Sequence, residues 1–127
     1  ALLQPIEKII TPESITLNDI YFEYNKSNIT KEGAYELDNL VRVMNKYPNM
    51  VIMVKSHTDN RGSDQYNLAL SDRRAQSTVQ YILSRGIAKA RISGKGYGES
   101  EPKVNCTDCT EEQHAQNRRS EFLIVKQ

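Results

Sequence analysis

The chain has 127 residues and a formal net charge of +1, with charged residues of both signs scattered along it. That length suits one domain with a real core. The mixed charge forms no basic stripe to draw in nucleic acid, and no apolar run approaches the roughly 20 residues of a membrane helix. The chain opens on Ala1 and reads as a domain excised from a longer protein, so a missing leader says nothing about the parent.

Residues 1–14 show no period and contain Pro5 and Pro12, which predicts a loosely packed N-terminal linker ahead of a domain spanning 15–127. "ITLNDIYFEY" (15–24) is rich in β-branched and aromatic residues and predicts a strand. "NKSNIT" is a turn whose Thr30 can cap a helix. Ala34, Leu37, Leu40, Val41 and Met44 recur at helical spacing, predicting an amphipathic helix over 31–47 that Pro48 ends. The continuous apolar run at 50–56 predicts a central strand covered on both faces. A long helix follows from about Ser63 to Arg85, with Leu68, Ala75, Val79, Ile82 and Leu83 on its apolar face and Gly86 as a C-terminal stop. "RISGKGYG" (91–98) is a short strand running into a glycine-rich turn, 99–110 a polar loop, "EEQHAQNRR" a short helix and "SEFLIVK" (120–126) a last strand. The order β-α-β-α-β-(α)-β predicts an α/β (α+β) sandwich with helices packed on one face of a mixed sheet.

The apolar run discharges into "SHTDN" (56–60), a set of polar atoms on a rigid mount. Arg74 follows Asp59 by fifteen residues, and Asn67 lies about two turns before Arg74 on the same helix. If that helix doubles back over the sheet, an acid, an amide and an arginine surround one pocket. Such a pocket suits a ligand carrying both an ammonium and a carboxylate, the first paired with Asp59 and the second gripped by the arginine fork. Taken singly, Asp59 equally caps the following turn, and Arg74 equally sits in solvent beside Arg73. His57 and Asp59 share a face of an extended strand, but no nucleophile or third orienting group stands with them. "GKGYGES" lacks the spacing of a phosphate loop. Cys106 and Cys109 in "NCTDC" admit a disulfide, half a metal site or a redox dithiol. With His57 and His114 as the available imidazoles, a four-ligand zinc site is poorly supplied, and a small structural disulfide is the preferred reading.

"SHTDNRGSDQYNLALSDRRAQSTVQYILSRGI", "RISGKGYGESEP" and "NRRSEF" resemble, in order and spacing, the OmpA C-terminal-like family of peptidoglycan-binding domains (OmpA, Pal and MotB), over roughly residues 19–126. The cysteine loop resembles Bacteroidetes members. The resemblance implies non-covalent binding of peptidoglycan through the diaminopimelate of its stem peptide. It implies no catalysis, no cofactor and no metal, a periplasmic location, and attachment to the outer membrane through a missing N-terminal part. Position by position, it implies that Asp59 and Arg74 hold diaminopimelate and that Asn25, Asn67 and Arg118 line the same pocket. It further implies that Thr58 and Asn60 form a strand-end turn whose backbone amides face the ligand. The periplasmic setting it implies favours a Cys106–Cys109 bond. Ser56, Glu23, Gln113 and His114 depart from the residues usual in that family and leave the acid–arginine pair intact. Two other readings stay open: a hydrolase of the same wall using His57 and Asp59, and a protein–protein scaffold with a vestigial pocket.

Overall fold

A computed structural model describes residues 17–126; the linker expected over 1–14 lies outside them. A four-stranded mixed sheet is formed by β1 (Ile20–Tyr21), β2 (Val51–Ser56), β3 (Ile92–Gly96) and β4 (Arg119–Lys126), in the spatial order β1-β4-β2-β3. β2 pairs in parallel with β3 and antiparallel with β4, and β1 pairs antiparallel with β4. Helices α1 (Lys31–Lys46), α2 (Asp64–Ser84) and the short α3 (Glu111–Asn117) complete the α+β fold, with a 3₁₀ turn at Lys89–Arg91 that sequence periodicity did not announce.

Local chemistry sets these boundaries. The Thr30 hydroxyl accepts from the Gly33 N–H and starts α1, and Ser63 does the same for α2 through Tyr66. Thr110 and Gln113 exchange side-chain and backbone hydrogen bonds at the start of α3. Gly86, with φ of 95°, ends α2 in the left-handed region. Leu37, Leu40 and Met44 of α1 meet Ile52 and Val54 of β2 and Ile82 of α2 in the core.

Three expectations need correcting. Of the strand predicted over 15–24, residues 15 and 16 lie outside the described ones, and the remainder forms a strand only at Ile20–Tyr21. Its ladder partner β4 begins at Arg119, and beyond it two arginine side chains take the backbone: Arg118 binds the Phe22 carbonyl, and Arg74 those of Glu23 and Lys26. β2 is central in the sheet but is not covered on both faces. Ile52, Val54 and Ser56 are buried while Val51, Met53 and Lys55 are half-buried, and Leu123 and Val125 of the neighbouring strand are exposed on that open side. On α2, Leu68 is 49% exposed, and the buried positions include Asn67, Ser71, Arg74 and Thr78. Leu70, Ala75 and Ile82 supply the buried apolar positions among these polar ones.

One of those bonds fixes how closely α2 approaches the sheet. Gly96 lies against Ser71 and Asp72 with no room for a Cβ, and its N–H donates to Asp72 Oδ1 at 3.0 Å. The Gly98 N–H donates to the buried Ser71 hydroxyl at 2.8 Å. The turn after β3 is thereby strapped to the first turns of α2, which aims Asn67 and Arg74 at the end of β2.

Candidate functional site

β2 ends at Ser56, and the chain leaves the sheet at full burial: His57, Thr58 and Asp59 are all buried. Asp59 forms the turn its position suggested, and its second oxygen faces two arginines. Its Oδ1 accepts from the Arg61 N–H two residues on, at 3.0 Å, forming the turn. Its Oδ2 takes Arg61 Nη2 at 2.7 Å and faces Arg118 Nη1 at 3.5 Å. Burial pushes the Asp59 carboxyl up, but the hydrogen bonds and charge of Arg61 outweigh that and hold it below the usual carboxylate range.

Arg74 is wholly buried. Its Nε donates to the Lys26 carbonyl at 2.8 Å, Nη1 to that of His57 at 3.0 Å and Nη2 to that of Glu23 at 3.2 Å. Its guanidinium lies 5.1 Å from the centre of the Phe22 ring. Burial, with the charge of Arg118 beside it, lowers the guanidinium to about 10, and Asp59 acts in the opposite sense. It is therefore charged at neutral pH. Of its five N–H groups, three serve the backbone and two remain, one on each terminal nitrogen. Those two nitrogens are the ones that grip a carboxylate end-on.

The two residues line one small cavity of about 50 Å³, together with Asn25, Asn67, Arg118 and Thr58. Asn25 holds φ of 61°, a left-handed turn that brings the loop after β1 over the site. Asn67 is anchored through its Nδ2 to Glu99 at 2.8 Å, and Arg118 through its Nε to the Phe22 carbonyl at 2.9 Å. The Thr58 hydroxyl is buried without a partner among the described residues. A larger groove of about 930 Å³ lies along β1 and the start of α1, and of the expected residues it takes in Arg118 alone.

Asn60 does not line the cavity with the others. Its side chain points to the cysteine loop, donating to the Cys106 carbonyl at 3.0 Å, and it borders a neighbouring polar cavity of about 120 Å³. The Thr58 backbone amide donates to the Gly98 carbonyl at 2.9 Å, so it is committed to the fold rather than free to face a ligand. His57 turns elsewhere too. Its Nε2 lies 3.0 Å from Glu121 and its ring stacks on Tyr97 at 5.8 Å. Burial, with the charge of Arg119, lowers its pKa, leaving it mostly neutral at pH 7.

Three contributors escaped sequence reasoning. Arg61 sits between the Asn and Gly of the "TDNRG" stretch, where the sequence shows only a loop, although position two after an aspartate is where such a turn delivers its side chain. Tyr24 and Tyr66 also line the cavity; an aromatic at a strand end and one in a first helical turn carry no signal of their own.

Cys106 and Cys109 are joined in a disulfide with Cα atoms 5.3 Å apart. The closed loop is short, so its chain-entropy stabilisation is at most about 2 kcal/mol. Reduction is accordingly expected to lower the melting midpoint by no more than about 10 °C while leaving the far-ultraviolet circular dichroism unchanged. A thermal melt with and without a phosphine reductant reads this directly, and unfolding on reduction would contradict it.

The OmpA family profile matches residues 21–118. Outer membrane porin F of Pseudomonas fluorescens is 35% identical over 123 residues, covering 97% of this chain and 36% of the porin. A peptidoglycan-associated lipoprotein of Buchnera aphidicola is 34% identical over 106 residues, covering 84% of this chain and 60% of the lipoprotein. The chain thus spans between about a third and three fifths of these relatives' length. In fold, it superposes on the crystal structure of the peptidoglycan-associated lipoprotein from Burkholderia pseudomallei with a TM-score of 0.79 at 24% identity, covering 94% of this chain and 98% of that one. With the profile spanning β1 through the end of α3, this chain belongs to the OmpA family.

Proposed function

We propose that the domain, residues 15–127, binds peptidoglycan non-covalently through the free end of diaminopimelate in the stem peptide. In this reading it tethers an outer-membrane or envelope protein to the wall from the periplasm. The observation that carries the reading is the buried Arg74 guanidinium. Two of its N–H groups are left over from the backbone, and Asp59 lines the same cavity. An ammonium next to a carboxylate on one carbon matches that pair. The small volume suits an end group rather than a whole ligand, since pockets enclosing drug-sized molecules run to roughly 300–1,000 Å³.

The domain acts here by binding and not by bond cleavage. His57 is occupied with Glu121 and stacked on Tyr97, neither of which lines the cavity. No hydroxyl or thiol nucleophile is paired with it in the hydrogen bonds it makes.

The test is a side-by-side titration with stem peptides carrying diaminopimelate or lysine at the same position. Lysine keeps the ammonium and lacks the carboxylate, which leaves the two spare Arg74 donors unpaired in a desolvated site, at a cost on the order of 2–5 kcal/mol. The lysine peptide is expected to bind about thirtyfold more weakly or worse. Equal affinities would overturn the reading.

A further inference from the structure

The Asp59 carboxylate, which the proposed function assigns to the ligand's ammonium, is already engaged. Arg61 covers both of its oxygens, the backbone N–H on Oδ1 at 3.0 Å and Nη2 on Oδ2 at 2.7 Å. The same guanidinium lies 4.2 Å from the centre of the Tyr24 ring, on the loop across the cavity. Arg61 and Tyr24 both line the cavity and restrict it to about 50 Å³.

Two features make this arrangement exchangeable. The Arg61 Nε is buried without a hydrogen-bond acceptor among the described residues, so the guanidinium is held on Asp59 with one donor wasted. A second carboxylate stands beside it: Glu111 Oε1 is 3.3 Å from Arg61 Nη1, and the Glu111 side chain is 64% exposed. Gly62, with φ of 92°, follows Arg61 directly and allows the loop to pivot. A guanidinium that leaves Asp59 can keep its stack on Tyr24 and its bond to Glu111.

Resting on the proposed reading of the pocket, we propose that Arg61 is a specificity-determining counterion: it stands on Asp59 where the ligand's ammonium goes, and binding exchanges one cation for the other. The exchange sets a double condition. A ligand with a carboxylate and no ammonium leaves Arg61 on Asp59 and meets a filled pocket. A ligand with an ammonium and no carboxylate displaces Arg61 but leaves Arg74 short of an acceptor. Affinity for the correct ligand is reduced by the fraction of molecules in which Arg61 holds Asp59, the usual consequence of a competent state that is only partly populated.

The test titrates a diaminopimelate-containing stem tripeptide into the wild-type domain and three variants by calorimetry, with association rates from stopped flow. Arg61→Ala is expected to bind about fivefold tighter, through faster association, because the competitor is gone. Arg61→Lys, which restores a competing cation, is expected to return affinity toward wild type. Glu111→Gln removes the receiving carboxylate, which also holds Arg118 Nη1 through its Oε2 at 3.1 Å, and is expected to weaken binding about threefold. If the wild type binds and Arg61→Ala binds equally or more weakly, the exchange is overturned while the pocket reading stands. If neither binds, the pocket reading fails and the exchange with it.

Discussion

Replacing Arg74 by alanine is expected to lower folding stability by about 2–4 kcal/mol, the order expected when hydrogen bonds from a charged donor are lost. Three backbone carbonyls, those of Glu23, Lys26 and His57, lose their donor at once. The His57 carbonyl is orphaned in a buried setting, at a cost of about 1–3 kcal/mol, whereas Glu23 and Lys26 lie on an exposed loop where water can take the place of the lost donor. Arg74→Lys recovers at most part of this, because an ammonium is compact and cannot span three carbonyls in a plane. The measurement is the urea midpoint at constant slope. An alanine variant within about 0.5 kcal/mol of wild type, the ordinary scatter of surface substitutions, would show that the guanidinium does not hold these segments. The same bonds make Arg74→Ala a poor probe of ligand chemistry, since lost binding and lost structure arrive together.

Asp59→Asn is the more conservative probe, and its expected effect on binding is large. The amide is isosteric, and its Oδ1 can still accept the Arg61 N–H that forms the turn. What disappears is the charge that an ammonium needs, together with the Oδ2 acceptor for Arg61 Nη2. A desolvated ion pair with one partner removed loses on the order of 2–5 kcal/mol, so co-sedimentation with isolated sacculi is expected to fall at least thirtyfold while the circular dichroism stays that of the folded domain. The depressed Asp59 pKa fixes the sign of the pH dependence. The carboxylate contributes above its ordinary value of about 3.8, and its contribution is lost only as pH falls through the depressed folded value. Wild-type binding is therefore expected to hold from pH 7 down to pH 5. Undiminished capture by folded Asp59→Asn would remove Asp59 from the site.

The pattern of strands and helices was legible because each element of the core carries its own periodicity: Leu37, Leu40 and Met44 on α1, and the apolar run of β2. The failures share a cause. Leu68 is apolar at a helical position and so looks like core, yet the first half of α2 buries Asn67, Ser71 and Arg74, whose partners are the Glu99 carboxylate and backbone atoms of distant loops. The strand predicted over 15–24 is too long because β-propensity cannot register that arginines at 74 and 118 claim its carbonyls. In the site, Asp59, Arg74 and Asn67 could be grouped from spacing. Asn60 could not be separated from them, since its partner is the Cys106 carbonyl, 46 residues away.

The shared carbonyls of Arg74 also bear on how the domain answers mechanical force. Under the proposed role, tension enters on the N-terminal side of β1 and leaves through the ligand. β1 is an edge strand held by two residue pairs, Ile20 with Ser120 and Tyr21 with Arg119, so a pull on it unzips one rung at a time. The next rungs are the bonds from Arg118 to Phe22 and from Arg74 to Glu23 and Lys26. Peeling past Tyr21 therefore dismantles the pocket wall itself, and an Asp59–Arg74 grip on a ligand resists that peeling by pinning Arg74 from its other side. Rupture of the domain and release of its ligand become a single event, and a bound chain is expected to withstand more force at β1 than a free one.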